Sequence, residues 1–281
     1  MLIGAHMSTK GGLGNALRKG KEIGCTAVQV FTSSPQQWYA KEVSPDLVAD
    51  FRRAQEETGI RSVVSHDTYL INLCAPTPEI RDKSLHSLKK ELLRCGQYGI
   101  EYVVSHIGST KGQDHAESMV TAAEGIKEVL AETPESVLLL METTAGQGSS
   151  LNSRFEELAM FFDLCNHHPR LGVCLDTCHV FVAGYDIRTQ EGYDQMWSKF
   201  DGLVGIERLK VIHCNDSKRE LGSKVDRHED IGDGCLGIEP FRLLMNDARF
   251  ERVPILLETP DGEAMHEENL RRLRELVQTP A

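Results

Sequence analysis

The sequence predicts an α/β fold: a single (β/α)8 TIM barrel over residues 1–281, with its active site at the C-terminal ends of the strands. Three observations predict it. Eight short apolar runs recur along the chain, helix-like segments lie between most of them, and most runs end in a polar or ionisable residue of metal-ligand type. Strands alternating with helices pair in parallel, and eight such units in a chain of 281 residues match a closed barrel.

The runs are LIGAH (2–6), VQVFT (28–32), SVVSHD (62–67), VVSHIG (103–108), VLLLMET (137–143), GVCLDTCH (172–179), LKVIHCND (209–216) and VPILLET (253–259). Such a run suits a strand that crosses a dry interior and presents a polar group at its far end. Between the second and third runs, residues 45–58 read as a helix with Ser44 as N-cap, Pro45 in the first turn and Gly59 closing the end. Thr77 and Pro78 open the next helix in the same way, with Leu85, Leu88 and Leu92 on one face. In 115–131, Met119, Ala123, Ile126 and Leu130 recur at helical spacing. Ser153 and Glu156 suggest a capping box ahead of Phe155, Leu158 and Phe162, and a last helix covers 263–277. No linker or low-complexity stretch divides the chain, and the intervals vary too much for a solenoid.

Hydrophobic content of 40% and charged content of 26% are ordinary for a globular protein. No apolar stretch reaches membrane-spanning length, and the N-terminus lacks the basic and apolar regions of a signal peptide. The reading is cytoplasmic, with the eight cysteines as buried, reduced thiols. Cys214 should face away from His213, because neighbouring side chains on a strand point to opposite faces. The net charge of −11 argues against a polyanionic partner, although cations gathered at one end would reverse the sign locally.

Nine residues stand out: His66, His106, Glu142, Asp176, His179, His213, Asp226, His228 and Glu258. Five imidazoles and four carboxylates at one barrel mouth would repel or stay unpaired without cations. Nitrogen and oxygen donors without thiolate suit zinc in a catalytic setting, with manganese as competitor. Asp226 and His228, two apart, point the same way in an extended loop. Asp176 and His179, three apart, either share one side or divide between two ions. The remaining histidines read as surface or structural, with His6, at the end of the first run, the exception. The glycines of TAGQGSS (144–150) suit either a phosphate-binding loop or a plain barrel-top loop, and Gly11, Gly12 and Gly14 read as turn residues.

Several stretches, in this order, carry a resemblance: GAHMSTKGGLGNAL (4–17), VQVFTSSPQQW (28–38), HDTYLINL (66–73), ETTAGQGSS (142–150), GVCLDTCHVFVAGYD (172–186), HCNDSK (213–218), DRHEDIG (226–232) and LETP (257–260). The chain resembles the endonuclease IV family of zinc-dependent apurinic/apyrimidinic endonucleases over nearly its whole length. The resemblance implies three zinc ions per chain, with manganese an alternative at one site. His66 and His106 would hold one ion, with Glu142 bridging to a second. Asp176, His213 and Glu258 would complete the second, and His179, Asp226 and His228 would hold the third. The implied reaction is hydrolysis of the phosphodiester 5′ to an abasic site, leaving a 3′-hydroxyl and a 5′-deoxyribose phosphate. Glu142 is both the bridge and the candidate catalytic proton acceptor.

The implied partner is double-stranded DNA, bound by a monomer with no protein partner and no membrane. Lys10, Lys111, Lys218, Arg219, Lys224 and Arg227 are candidate phosphate contacts. Tyr69 and Leu70 match the residues that the family inserts into the duplex. Gln36 stands where the family commonly carries an arginine, so one cationic contact is missing, and VVSHIGS lacks the usual proline after the histidine. Two other classes fit parts of the pattern. A metal-dependent sugar isomerase of a related barrel group would use two ions held mainly by carboxylates, and a non-catalytic lesion-binding module would keep the metals for structure.

Overall fold

The structure, a computed structural model, describes residues 1–39, 41–260 and 262–278. Along the chain come β1 (Ile3–His6), α1 (Leu13–Glu22), β2 (Ala27–Val30), α2 (Pro45–Thr58), β3 (Ser62–His66), α3 (Pro78–Tyr98), β4 (Tyr102–Ser105), α4 (His115–Ala131) and β5 (Leu138–Glu142). There follow α5 (Phe155–Leu164), β6 (Leu171–Asp176), α6 (Thr177–Ala183), α7 (Gln190–Leu203), β7 (Leu209–His213), β8 (Asp216–Ser217), β9 (His228–Glu229), α8 (Glu239–Met245), β10 (Ile255–Leu257) and α9 (Glu263–Glu275). Each apolar run supplies one barrel strand. The strands close in the order β1-β10-β7-β6-β5-β4-β3-β2, every neighbouring pair parallel. β8 and β9 form a separate antiparallel pair in the loop after β7.

Side chains on each strand alternate between two dry layers. One is the barrel interior, a cluster of Ala27, Val64, Val104, Leu140, Cys174, Val211 and Leu256. The other, larger layer lies between strands and helices and holds residues such as Val28, Val103, Met141, Leu175, Ile212 and Leu257. At β1 the backbones approach so closely that a Cβ on Gly4 would fall 1.6 Å from the Ala27 carbonyl oxygen.

The helices follow their sequence signals with small shifts. Ser44 Oγ accepts the Leu47 N–H at 3.4 Å, and Gly59 takes the left-handed conformation that ends α2. Met119, Ala123, Ile126 and Leu130 are buried along α4. The capping box of α5 sits one residue later than the sequence suggested. Its N-cap is Arg154, and the reaching carboxylate is Glu157, which accepts from the N–H groups of Ser153 and Arg154 at 2.8 and 3.4 Å. Glu156 instead pairs outward with Lys199 at 2.8 Å. α9 ends at Glu275, two residues short of the expected 277. The cysteines are free, all buried except the partly exposed Cys235, and Cys214 lies in the outer layer, away from His213. Among the described residues no helix is long and apolar enough to cross a membrane.

Candidate metal centre

Two residues beyond each member of the interior cluster, the same strand face presents a polar side chain: Gln29, His66, His106, Glu142, Asp176, His213 and Glu258. His6, two beyond Gly4, completes the ring. Period-two alternation thus converts eight apolar strands into one polar floor at their C-terminal ends.

Glu142 occupies the centre of this floor and is fully buried. His66 and His106 place Nε2 at 3.1 and 3.2 Å from its Oε2. His213 and His179 place Nδ1 at 3.0 and 3.4 Å from its Oε1. Glu258 lies 3.3 Å from the same His213 Nδ1. The polar side chains outside the floor arrive by two routes. Asp176 ends β6 and caps α6, its Oδ1 accepting the His179 N–H at 2.8 Å, which stands the His179 imidazole over the floor. Asp226 and His228 come from the loop after β7, side by side, with Nε2 of His228 3.4 Å from Asp226 Oδ1. His179 Nε2 lies 3.1 Å from Asp226 Oδ2.

The nine sequence-predicted donors therefore converge. They fall into His66–His106–Glu142, Glu142–Asp176–His213–Glu258 and His179–Asp226–His228, each with donor atoms within 4.8 Å of one another. A fourth grouping brings Cys178 to within the same distance of Asp176 and His228. Asp176 and His179, left open by their spacing, separate into different groups.

This set suits cations. Nε2 of His179 and of His228 is buried without a hydrogen-bond partner, although both face carboxylates. Among the described residues no lysine or arginine pairs with Glu142, Asp176, Asp226 or Glu258. Burial would push Glu142 up, yet His106, His213 and His179 hold it well below the usual carboxylate range. Burial likewise disfavours the charged His66, but Glu142 and Glu258 lift it to about 10. His179 and His213 are raised against burial by Asp176 and by Glu258, respectively. The carboxylates draw positive charge into the cage, and protons and metal ions compete for it.

Three imidazoles are oriented by main chain. Nδ1 of His66 faces the Asp67 carbonyl at 2.9 Å, Nδ1 of His179 the Thr143 carbonyl at 2.8 Å, and Nδ1 of His228 the Glu258 carbonyl at 3.0 Å. The buried Asn215 donates to Asp176 Oδ2 at 2.7 Å and accepts the Glu258 N–H at 2.7 Å. The loop bearing Asp226 and His228 is tied by Asp216, whose carboxylate accepts from the N–H groups of Ser217, Gly232, Gly234 and Leu236 at 2.7 to 3.1 Å. Sequence reading missed Asn215, Asp216 and Gln29. The first two sit in HCND beside His213, and a buried Gln amid apolar residues was a signal for the third.

Around the floor the rim is open. Tyr69 is 65% exposed and stacks edge-on against Phe31 at 5.5 Å. It lines both the cavity over the floor and a neighbouring one of about 720 Å³, which Leu70, Asn72, Lys111, Gln147 and Arg227 also line. Gln36 is exposed in the loop after β2 and shares a surface hollow with Leu70. Lys10, Lys218, Arg219 and Lys224 are exposed on barrel-top loops, and Lys218 reaches Glu229 at 3.7 Å. The TAGQGSS stretch folds as a barrel-top loop whose Ser149 contacts Ser109 and Lys111. His266, grouped with the structural histidines, is buried on α9 beside Thr259 and also lines the floor cavity.

Comparison with known proteins agrees with this architecture. A family model described as xylose isomerase-like TIM barrel matches residues 17–276. The chain is 48% identical to a probable endonuclease 4 of Chloroflexus aurantiacus over 98% of both chains. It is 44% identical to a probable endonuclease 4 of Geotalea daltonii, again over 98% of each. Among solved structures, the crystal structure of endonuclease IV from Thermus thermophilus superposes with a TM-score of 0.87 at 36% identity, covering 98% of each chain.

Proposed function

The chain belongs to the endonuclease IV family, and from that membership we propose that it is a DNA-repair endonuclease that hydrolyses the phosphodiester 5′ to abasic sites. The products would be a 3′-hydroxyl and a 5′-deoxyribose phosphate. The reading includes a zinc-dependent cytoplasmic monomer acting on double-stranded DNA. The observation that carries it is the grouping of nine donors into three sets, two of which share Glu142.

His66, His106 and Glu142 would hold one zinc ion, Glu142, Asp176, His213 and Glu258 a second, and His179, Asp226 and His228 a third. Bound there, zinc would supply a water acidified toward neutral pH and positive charge facing the phosphate. The protein does the rest. Glu142 is kept ionised by its imidazoles, as a bridging ligand must be, and is our candidate proton acceptor at the centre of the floor. Tyr69 and Leu70 stand at the rim where they can fill the gap left by a missing base, and unstacking costs least at such a site. Lys111 and Arg227 line the adjoining cavity and would hold backbone phosphates. Lys10 and Lys218 extend this cationic rim, which offsets the acidic net charge only locally.

The test is a duplex carrying one abasic analogue. Zinc-loaded protein should nick it on the 5′ side, chelation should abolish nicking, and added zinc should restore it. No nicking by fully loaded protein would overturn the reading, and turnover of an aldose or ketose would replace it with the sugar isomerase.

A further inference from the structure

His213 differs from the other imidazoles of the floor. His66, His179 and His228 turn Nδ1 to a backbone carbonyl and leave Nε2 facing the carboxylates. His213 does the reverse. Its Nδ1 faces Glu142 and Glu258, and its Nε2 lies 2.8 Å from Oε1 of Gln29, a fully buried side chain on β2. We propose that Gln29 is the positioning residue of the central cation site, fixing which nitrogen of His213 and which orientation of Glu258 the ion meets. The inference rests on the metal-centre reading above and concerns a residue that reading does not use.

The amide has one consistent orientation. Gln29 Oε1 accepts the Nε2–H of His213. Gln29 Nε2 donates to Glu258 Oε1 at 2.5 Å and to His6 Nδ1 at 3.0 Å. Rotating the amide by half a turn would set its oxygen against the Glu258 carboxylate, two acceptors face to face, so the NH2 stays on Glu258 and Oε1 on His213. His213 is thereby held with its proton on Nε2 and its Nδ1 lone pair toward Glu142. His6 accepts at Nδ1, so its own proton sits on Nε2, which is buried, has no partner, and belongs to the lining of the floor cavity. One side chain from β2 thus sets two imidazoles and one carboxylate. Main-chain carbonyls cannot be removed by substitution, whereas this orienting group can.

Partners of this kind typically change metal affinity by about 10–100-fold. In Gln29→Met, which keeps length and apolar packing, zinc competition against a chromophoric chelator should show one ion weakened about 10–100-fold with the others unchanged. In zinc-loaded wild type labelled with 15N-histidine, His213 should carry its proton on Nε2 and bind zinc through Nδ1. This arm needs no variant to fold. Wild-type affinities in Gln29→Met, equal weakening of every ion, or zinc on Nε2 of His213 would each overturn the inference alone. A wild type that takes up no zinc would overturn the metal-centre reading together with it.

Discussion

Nδ1 of His213 stands 3.0 Å from Oε1 of Glu142, while His66 and His106 approach the other oxygen of the same carboxylate at 3.1 and 3.2 Å. Both carboxylate oxygens are therefore engaged from opposite sides of the barrel, and Glu142 is shared by the His66–His106 and the Asp176–His213–Glu258 donor sets. Replacing it with Gln keeps the volume and removes the charge that binds the sets together. Glu142→Gln should lower turnover on an abasic duplex by about 10²-fold or more, the range of a lost proton-transfer group. It should also reduce zinc content. Wild-type rates in this variant would remove both roles of Glu142.

The Asp216 carboxylate hydrogen-bonds to none of the nine donors, yet it receives four backbone N–H groups from the loop that carries Asp226 and His228. A Cβ on Gly234 would lie 2.4 Å from its Oδ1, so the loop is wrapped tightly about this carboxylate. Each buried N–H left without an acceptor costs about 1–3 kcal/mol. In Asp216→Ala the loop should therefore open rather than keep its shape. Limited proteolysis should cut within 217–236 in the variant but not in wild type. Zinc should be lost from the His179–Asp226–His228 set first, and wild-type protease resistance would contradict this role.

The sequence made the fold and the floor readable for one physical reason. A parallel barrel strand is buried on both sides, so it reads as an apolar run, and its first polar inward residue marks the mouth. His66, Glu142 and His213 announce themselves in this way. The second run shows where the rule falters. In VQVFT the terminal Thr32 turns outward to bond Glu91 at 2.7 Å, and the inward polar residue is Gln29, inside the run. Asp216 was hidden because its partners are main-chain N–H groups, which leave no trace in residue type. α6 was hidden because Asp176 is both the end of a strand and the cap of the next helix. The one-residue error at α5 arose because Glu156 and Glu157 are adjacent, and only tertiary contact with Lys199 assigns Glu156 outward.

Tyr193 provides a pH test away from the metal centre. Its hydroxyl donates to Asp247 Oδ2 at 3.1 Å, and burial, reinforced by that carboxylate, raises its pKa above the usual 10. A group whose folded pKa is raised contributes stability that is complete below its unfolded value and is lost as pH rises through the folded one. Thermal stability of the wild type should therefore fall as pH is taken above about 10. Tyr193→Phe should start lower at pH 8, having lost the hydrogen bond by about 1 kcal/mol, but should fall less steeply between about pH 10 and 11. Parallel melting-temperature profiles for the two proteins would show that Tyr193 is not the titrating group.

Gln36 offers the most direct test of how the acidic chain holds DNA. It is exposed at the barrel rim and shares a surface hollow with Leu70. A glutamine there can hydrogen-bond but releases no counterion from the phosphate backbone, whereas each cation–phosphate contact adds about one unit to the slope of log K against log salt. Gln36→Arg should bind an abasic duplex more tightly at low salt and steepen that slope by about one. Lys111→Ala and Arg227→Ala should each make it shallower by a similar amount. Turnover at saturating DNA should change little in Gln36→Arg, because Gln36 lies outside the donor floor. An unchanged slope in all three variants would mean that the duplex does not lie along this rim.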